Sequence, residues 1–505
     1  MTQRVFKVVL LAVSALALNG CRTPGFGERA ESAAQLREAL HGETDVYFAT
    51  NSGALTLADA LKVARSRTLK LTQAQLDLQL SKIQRTMAFS TFLPQVEATY
   101  TRSGTDVPIM RSFGAQSIQM SSKYVNEASI ALTQPIFTPG AWLLFVESKN
   151  AVRARELAHA RAGELLDVQV AALFYQAAVA ESMLKTYERQ EEATRALVGR
   201  VTALAKEGYV LAAPRERALA RLLSDQYNVR LAKDNLSLTR AKLFEVLRFW
   251  PTEEVTLDGG SLLDVLGRDW ILTSETGDAR RVAREHVQTL TTEEWLWQTL
   301  VNRKELWAGD QIIELRKTEV IRALTGFLPN LYGSASGNYS SEILQSPSQY
   351  WAGALGATLS LFKGFQTVAA YREAKARRAA EFQIQEDRAL AFMVSTYEAC
   401  QNWCRTGAQR AVAEQARKAA ELDYDETKAR YEQDQETLSE VLDKLALMEG
   451  ARVQAVMAEY ASALAEIVLR DAAGVGLGET RVMEKSAAEA FREAGLLEGI
   501  LKDRK

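Results

Sequence analysis

The 505-residue chain is long enough for several ordinary domains. Charged residues make up 25% of it and only nine prolines occur, which favours long helices over a β-sandwich or a doubly wound sheet. A general nucleic-acid binder would carry a basic surface, so the formal net charge of −2 predicts no nucleic-acid partner. The three histidines are too scattered along the chain to predict a metal site.

The chain begins with the pattern of a secretory signal. Arg4 and Lys7 precede an apolar run over residues 8–18, which is too short to span a bilayer. Beyond it the sequence holds no apolar run of about 18 residues, so we expect no membrane-spanning helix.

The end of this signal, Leu18-Asn19-Gly20-Cys21, resembles the bacterial lipobox, although Asn19 is not the usual small residue. The resemblance implies a lipoprotein signal peptide at 1–20 and a diacylglycerol group on Cys21. Arg22, where inner-membrane lipoproteins have Asp, implies sorting to the outer membrane and contact with its lipid. A plain secretory signal with an incidental cysteine is the alternative.

Two stretches of the mature chain repeat with matched spacing. Leu55 and Leu290 each open a helical stretch that ends in Phe-Leu-Pro, at Phe92 and Phe327, and both pairs lie 235 positions apart. Later landmarks, such as Phe137 and Phe362, lie 225 positions apart. The match predicts an internal duplication with one change of loop length.

Long packed helices are predicted after Phe137 and Phe362. In the first copy, one helix from about Gly140 to Ala205 would be about 100 Å long. It carries an apolar seam with alternating steps of four and three, which Glu191 and Thr194 interrupt. The seam comprises Leu166, Val170, Leu173, Ala177, Ala180, Leu184 and Tyr187.

Between the Phe-Leu-Pro sequence and the later phenylalanine of each copy, apolar residues recur at every second position. Residues 95–101 and 127–133 alternate in the first copy, and 331–339 and 354–361 are candidate strands in the second. Such alternation over about ten residues is typical of outer-membrane barrel strands. A soluble hairpin packed on the helices is the alternative.

In each copy, a helix that ends in Phe-Leu-Pro is followed by two strands, a long helix, a turn and a second helix. This order, which occurs twice, resembles the TolC-like outer-membrane efflux protein family. The resemblance implies a fold that is mainly α with a small β part, in a homotrimeric channel-tunnel. Each protomer would give four strands to a twelve-stranded transmembrane β-barrel, which continues into a long periplasmic α-helical barrel. Four strands alone leave open edges that lipid cannot satisfy, so membrane insertion would require oligomers.

The same resemblance divides the chain into six parts. They are the signal peptide 1–20, the lipidated segment 21–54, the first repeat 55–250, an equatorial connection 251–289, the second repeat 290–470 and an equatorial C-terminal extension 471–505.

A segment near the second helical turn, Glu440-Val441-Leu442-Asp443, resembles the family's Asp-Val-Leu-Asp sequence. The resemblance implies that Glu440 and Asp443 ring the periplasmic mouth as a gate. Their spacing of three places both carboxylates on one helical face. The alternative is an ordinary solvated face, in which Lys444 pairs with Glu440.

The two helical turns also resemble the tips that contact a periplasmic adaptor. At the first turn, Gly208 and the apolar Tyr209, Val210 and Leu211 are candidate adaptor contacts, although a glycine also fits a simple helix C-cap. At the second turn, Asp434 stands where the family usually has Gly. Glu436 stands where the type member has Arg, so its gating salt bridges are not carried over.

Cys400 and Cys404 could form a disulfide in an oxidising periplasm, but a spacing of four on a helix would strain the bond. Together with Tyr397 they follow the steps of a helical seam, which favours small buried packing residues.

The sequence predicts a passive outer-membrane channel of an efflux or type I secretion system, joined by an adaptor to an inner-membrane pump. No nucleotide-binding loop, cofactor motif or catalytic motif was found, so neither an enzyme nor a cofactor is expected. A non-conducting structural lipoprotein with a coiled-coil stalk is the alternative.

Overall fold

The computed structural model describes most of the chain. The described residues are 26–50, 54–107, 110–113, 116–119, 122–208, 212–252, 255, 257, 291–342, 347–433 and 435–475. None of the helices within them is long and apolar enough to cross a membrane.

Nine helices and six strands are described in these ranges. In chain order they are α1 (Phe26–Thr50), α2 (Leu57–Arg67), α3 (Leu69–Ser90), β1 (Gln95–Gly104), β2 (Met110–Phe113), β3 (Gln116–Gln119), β4 (Tyr124–Phe137), α4 (Pro139–Lys206), α5 (Ala212–Leu247), α6 (Thr292–Asn302), α7 (Lys304–Thr325), β5 (Asn330–Ser340), β6 (Gln349–Thr358), α8 (Gln366–Glu432) and α9 (Leu438–Ala472). The mainly helical fold with a small sheet agrees with the sequence prediction.

The start of each predicted repeat is fixed by a threonine. Thr56 caps α2 by accepting a hydrogen bond from the backbone N–H of Asp59 at 3.2 Å. Thr291 caps α6 in a full capping box, in which Glu294 in turn accepts from the Thr291 backbone N–H at 2.7 Å. Helices α6 and α7 and strand β5 each begin 235 positions after α2, α3 and β1.

The helical stretch predicted before each Phe-Leu-Pro is observed as two helices with a break between them. The backbone is extended and not helical at Thr68 and at Arg303, which lie 235 positions apart. Thr68 donates its hydroxyl to the Val246 carbonyl at 3.1 Å. The Arg303 guanidinium lies over the Phe392 ring, 4.0 Å from its centroid. These tertiary contacts hold the breaks, and the sequence pattern alone does not reveal them.

Four strands form one antiparallel sheet in the order β1-β4-β5-β6, and β2 and β3 form a separate hairpin. The register joins rows of residues across all four strands, because β4 pairs with both β1 and β5, and β5 pairs with β6. Strands β1 and β6 lie at the two edges of the sheet in the single chain.

The described residues divide into two compact units, each formed from several parts of the chain. One unit contains the described residues up to Thr68 together with those of 169–269 and 409–461. Its core includes large side chains that are almost fully buried: Phe174, Tyr175, Leu243, Phe244, Leu247 and Phe249. Helix α4 thus buries more than its predicted seam, because Phe174 and Tyr175 lie outside that seam.

The other unit contains Leu69–Val168, the described residues of 270–408 and those from Ser462 onwards. It holds the four-stranded sheet and an apolar cluster around Trp295, which is 1% exposed and packs with Cys400, Leu469 and Ala473.

A buried arginine ties three helices of this second unit together. The Arg161 side chain on α4 is 8% exposed and contacts Glu305 of α7 at 2.7 Å and Asp471 of α9 at 2.6 Å. A third carboxylate, that of Glu164, lies 3.3 Å away. Burial alone would lower the pKa of Arg161, but Asp471 and Glu305 hold it above its usual value.

Candidate functional site

The four-stranded sheet has one apolar and one polar face. The register aligns Ala98, Ile130, Gly337 and Trp351 in one row across the strands. The neighbouring row, on the opposite face, is Thr99, Ser129, Asn338 and Tyr350.

The apolar face is exposed to the surroundings in the single chain. Trp351 is 81% exposed and Leu355 is 85% exposed, and both point to the same face of β6. Trp351 reaches across Gly337, where a Cβ would lie 2.9 Å from its ring. The sheet therefore presents large apolar side chains outward and does not bury them on the helices. Apolar and polar residues alternate as predicted, but the bounds of the last candidate strand, 354–361, were wrong, because β6 is observed at Gln349–Thr358.

The residues predicted as a gate lie in the first turns of α9. Thr437 caps this helix, because its hydroxyl accepts from the backbone N–H of Glu440 at 3.3 Å. Val441, Leu445 and Met448 are buried, whereas Glu440 and Asp443 are exposed. Neither carboxylate forms an ion pair or hydrogen bond with any residue that the structure describes.

Lys444, the predicted alternative partner of Glu440, is engaged elsewhere. Its ammonium lies 2.8 Å from Oδ2 of Asp423 on α8. Asp423 raises the pKa of Lys444, and Glu440 and Glu436 contribute smaller effects of the same sign. The alternative pairing of Lys444 with Glu440 is therefore not observed.

At the first helical turn, Gly208 follows α4 with φ +85 and is exposed. Its backbone N–H donates to the Ala205 carbonyl at 3.2 Å. This is a glycine C-cap, since L-residues with side chains rarely adopt that conformation. The predicted adaptor contacts Tyr209, Val210 and Leu211 lie outside the described residues, as does Asp434 at the second turn.

The predicted lipidation site, Cys21, also lies outside the described residues, as do residues 258–290 and 476–505. Within the described ranges, no cluster of His, Cys, Asp and Glu side chains is arranged to hold a metal ion.

The two later cysteines have different surroundings. Cys400 is buried in the Trp295 cluster, as predicted. Cys404 is exposed, so the prediction of buried packing was wrong for this residue, and both thiols are free. Tyr397 is 49% exposed, so of the three residues predicted to pack along one face of α8, Tyr397, Cys400 and Cys404, only Cys400 is buried.

Sequence reasoning missed a buried polar cluster in the first unit. Asp225 of α5 is 1% exposed and accepts hydrogen bonds from Gln190 at 2.6 Å and Thr194 at 2.7 Å, both on α4. Thr194, which interrupts the predicted seam, is fully buried. The one signal in the sequence was the polar Thr194, which interrupts the apolar seam of α4. Its partner, Asp225, lies on another helix and could not be inferred from the seam.

Comparison with known proteins gives a match to a family model and to solved structures. Residues 295–475 match the outer membrane efflux protein family. A search of curated protein sequences gives no match.

Three solved structures illustrate the fold match. The Campylobacter jejuni CmeC outer membrane channel is 15% identical over 86% of this chain and 88% of that chain, with a TM-score of 0.66. The Vibrio cholerae outer membrane protein VceC is 15% identical over 83% and 96%, with a TM-score of 0.65. The open state of the Neisseria gonorrhoeae MtrE outer membrane channel is 17% identical over 84% and 89%, with a TM-score of 0.65. At these identities the likeness establishes the fold.

Proposed function

We propose that this chain forms a passive efflux channel, because residues 295–475 match the outer membrane efflux protein family and the fold is similar to that of solved outer membrane channels. Three copies assemble into a twelve-stranded barrel in the bacterial outer membrane and a helical tunnel in the periplasm. The channel works with a periplasmic adaptor and an inner-membrane pump, which supplies the energy. The chain itself performs no catalysis and carries no cofactor.

The two-faced sheet is the observation that carries this proposal. Exposed Val96, Tyr100, Trp351 and Leu355 all belong to its apolar face. Burying such a face in lipid is favourable at about 25 cal/mol per Å² of apolar surface. The opposite face, rich in Ser, Thr and Asn, suits a water-filled lumen.

The open sheet edges support a trimer. In lipid, each unpaired backbone group on β1 and β6 would cost several kcal/mol, so the edges must pair. Three copies of a four-stranded sheet give twelve strands, an even number within the bacterial range. The elements that recur 235 positions apart support the predicted internal duplication.

An exposed apolar stripe on α3 also supports assembly. Its members are spaced by seven, four, three and four positions, which is the a/d spacing of a coiled coil. Each is more than half exposed in the single chain: Leu69, Leu76, Leu80, Ile83 and Met87. A second copy of the chain, seated along this stripe, would bury it.

The exposed carboxylates of Glu440 and Asp443 are the proposed gate. In a trimer each residue would be present three times, and two acidic rings would favour cations. Their lack of an ion pair in the described chain leaves this charge available. The turn residues Gly208, Tyr209, Val210, Leu211 and Asp434 are the proposed adaptor contacts.

Purified full-length protein in planar bilayers tests the channel proposal. We expect cation-preferring conductance, and Glu440→Gln with Asp443→Asn should lower that preference without loss of the folded trimer. The matched control is Glu188→Gln, which changes an exposed acid of α4 that lies 3.6 Å from Lys233. A folded trimer that never conducts, even with the gate neutralised, would favour the structural lipoprotein and overturn the channel.

We further propose that Cys21 carries the lipid anchor. Cys21→Ser should abolish labelling by radioactive palmitate while leaving the protein able to fold. Labelling that persists in this variant would overturn the anchor and leave the channel proposal untouched.

A further inference from the structure

A buried charge cluster joins α5 to α9 in the first unit. Glu449 of α9 is 5% exposed, and its Oε2 accepts a hydrogen bond from Nη2 of Arg221 on α5. Nε of the same arginine lies 3.3 Å from Oδ1 of the buried Asp225. Two buried carboxylates therefore share one close guanidinium.

The surrounding groups compensate the two carboxylates unequally. Helix α4 supplies the uncharged donors Gln190 and Thr194, and both of them bind Asp225. Glu449 has only the Arg221 hydrogen bond, and its Oε1 is buried without a hydrogen-bond partner among the described residues. Of the two acids, Glu449 is the one whose charge is less well matched.

The remaining charged and titratable groups around Glu449 come from its own helix and from α8. Arg452, three positions further along α9, pairs with Glu421 of α8 at 2.7 Å, so its charge is shared. Tyr424 of α8 is a further titratable group near Glu449, and burial raises its pKa. Burial also raises the pKa of Glu449, to about 7, with Asp225 acting in the same direction and Arg221 and Arg452 opposing it.

We propose that Glu449 is a proton-operated latch, which fastens α9 to α5 at mildly acidic pH and loosens that contact when it ionises. A proton on Glu449 removes the repulsion between two buried carboxylates that share Arg221. The contact is therefore strongest below the ordinary pKa of a glutamate carboxyl, and this stabilisation is lost as the pH rises to the folded-state pKa of Glu449, because the charged form is buried away from water.

The latch acts on the helix that begins with the two proposed gate residues, Glu440 and Asp443. If the proposed function holds, an acidic periplasm would keep this helix docked and make the mouth harder to open. This consequence rests on the channel proposal, whereas the latch itself does not.

Hydrogen exchange of the full-length protein in detergent, at pH about 5.5 and about 8, tests the latch on either side of the raised carboxyl pKa. After correction for intrinsic exchange rates, amides of 438–461 should exchange several-fold more slowly at the acidic pH. Glu449→Gln, which imitates the protonated acid, should show slow exchange at both values. The control Glu459→Gln, on the same helix, should keep the wild-type pH dependence.

A second variant separates titration from a structural defect. Asp225→Asn removes the neighbouring negative charge, so the midpoint of the exchange change should move to lower pH. Equal corrected exchange of the wild type at both pH values, or an unchanged pH dependence in Glu449→Gln, would overturn the latch. The readout needs no conductance, so failure of the channel proposal would be recognised separately.

Discussion

The ammonium of Lys444 lies 2.8 Å from the carboxylate of Asp423, so the cation next to Asp443 in sequence is bound to helix α8. This pair places a positive charge beside the proposed gate without neutralising Glu440 or Asp443. Lysine is charged at physiological pH, and Asp423 raises the pKa of Lys444 further.

Lys444→Gln should therefore increase the cation preference of the channel. Removing this positive charge beside the two proposed gate carboxylates should raise the cation-to-anion permeability ratio. Reversal potentials in a salt gradient measure this ratio. Lys233→Gln, which removes an exposed cation of α5 that lies 3.6 Å from Glu188, is the control and should leave the ratio unchanged. A lower cation preference in Lys444→Gln would contradict the gate assignment.

Arg161→Met should destabilise the second unit strongly. The substitution leaves Glu305, Asp471 and Glu164 without their shared cation, and breaking a buried ion pair in this way costs about 3–5 kcal/mol. Denaturant unfolding measures the loss. Arg153→Met, on the same helix but 59% exposed at its side chain, should cost less than about 1 kcal/mol. Similar losses in both variants would show that the network contributes little.

Gly474→Ala should destabilise the turn that ends α9. Gly474 has φ +71, and an added Cβ would lie 2.8 Å from the backbone nitrogen of Arg303. Strain and overlap together should lower the free energy of unfolding by about 1–3 kcal/mol. Gly407→Ala is the matched control, because this helical glycine has open space around it and alanine should stabilise the helix by about 1 kcal/mol. The two variants should shift the unfolding midpoint in opposite directions.

Thr194→Val should destabilise the packing of α4 against α5. The substitution keeps the side-chain shape but removes the hydroxyl that donates to Oδ2 of Asp225 at 2.7 Å. A buried carboxylate that loses a donor costs about 1–3 kcal/mol. Thr186→Val, about two turns earlier on α4, loses only a hydrogen bond to the Ser182 carbonyl in its own helix and should cost far less. Equal effects on the unfolding midpoint would rule out a special role for the Asp225 contact.

Periodicity predicted the long helices and strands β1, β4 and β5, but it missed the β2–β3 hairpin and the start of β6. The predicted helix from Gly140 to Ala205 is observed as Pro139–Lys206, since turn residues and seam spacing are both local signals. The extended residues Thr68 and Arg303 were missed, because contacts with distant segments hold them.

The candidate site was predictable only in part. Glu440 and Asp443 were predicted to share a face, and both are exposed. The pairing of Lys444 with Asp423 and of Thr194 with Asp225 depends on which helices are neighbours, and a single sequence does not specify that. Cys404 shows the same limit: its spacing fits a seam, yet its side chain is exposed whereas Cys400, one turn earlier on α8, is buried.

The edge strands β1 and β6 have a consequence for biogenesis. If the proposed barrel inserts into lipid, neither edge can enter unpaired, so a lone protomer would have no low-energy route into the bilayer. Insertion would then depend on trimer assembly, so protomers at low concentration would stay in the periplasm. The number of channels would rise more steeply than the protomer concentration. Stoichiometry, and not the presence of the protein alone, would decide how many pores a cell opens.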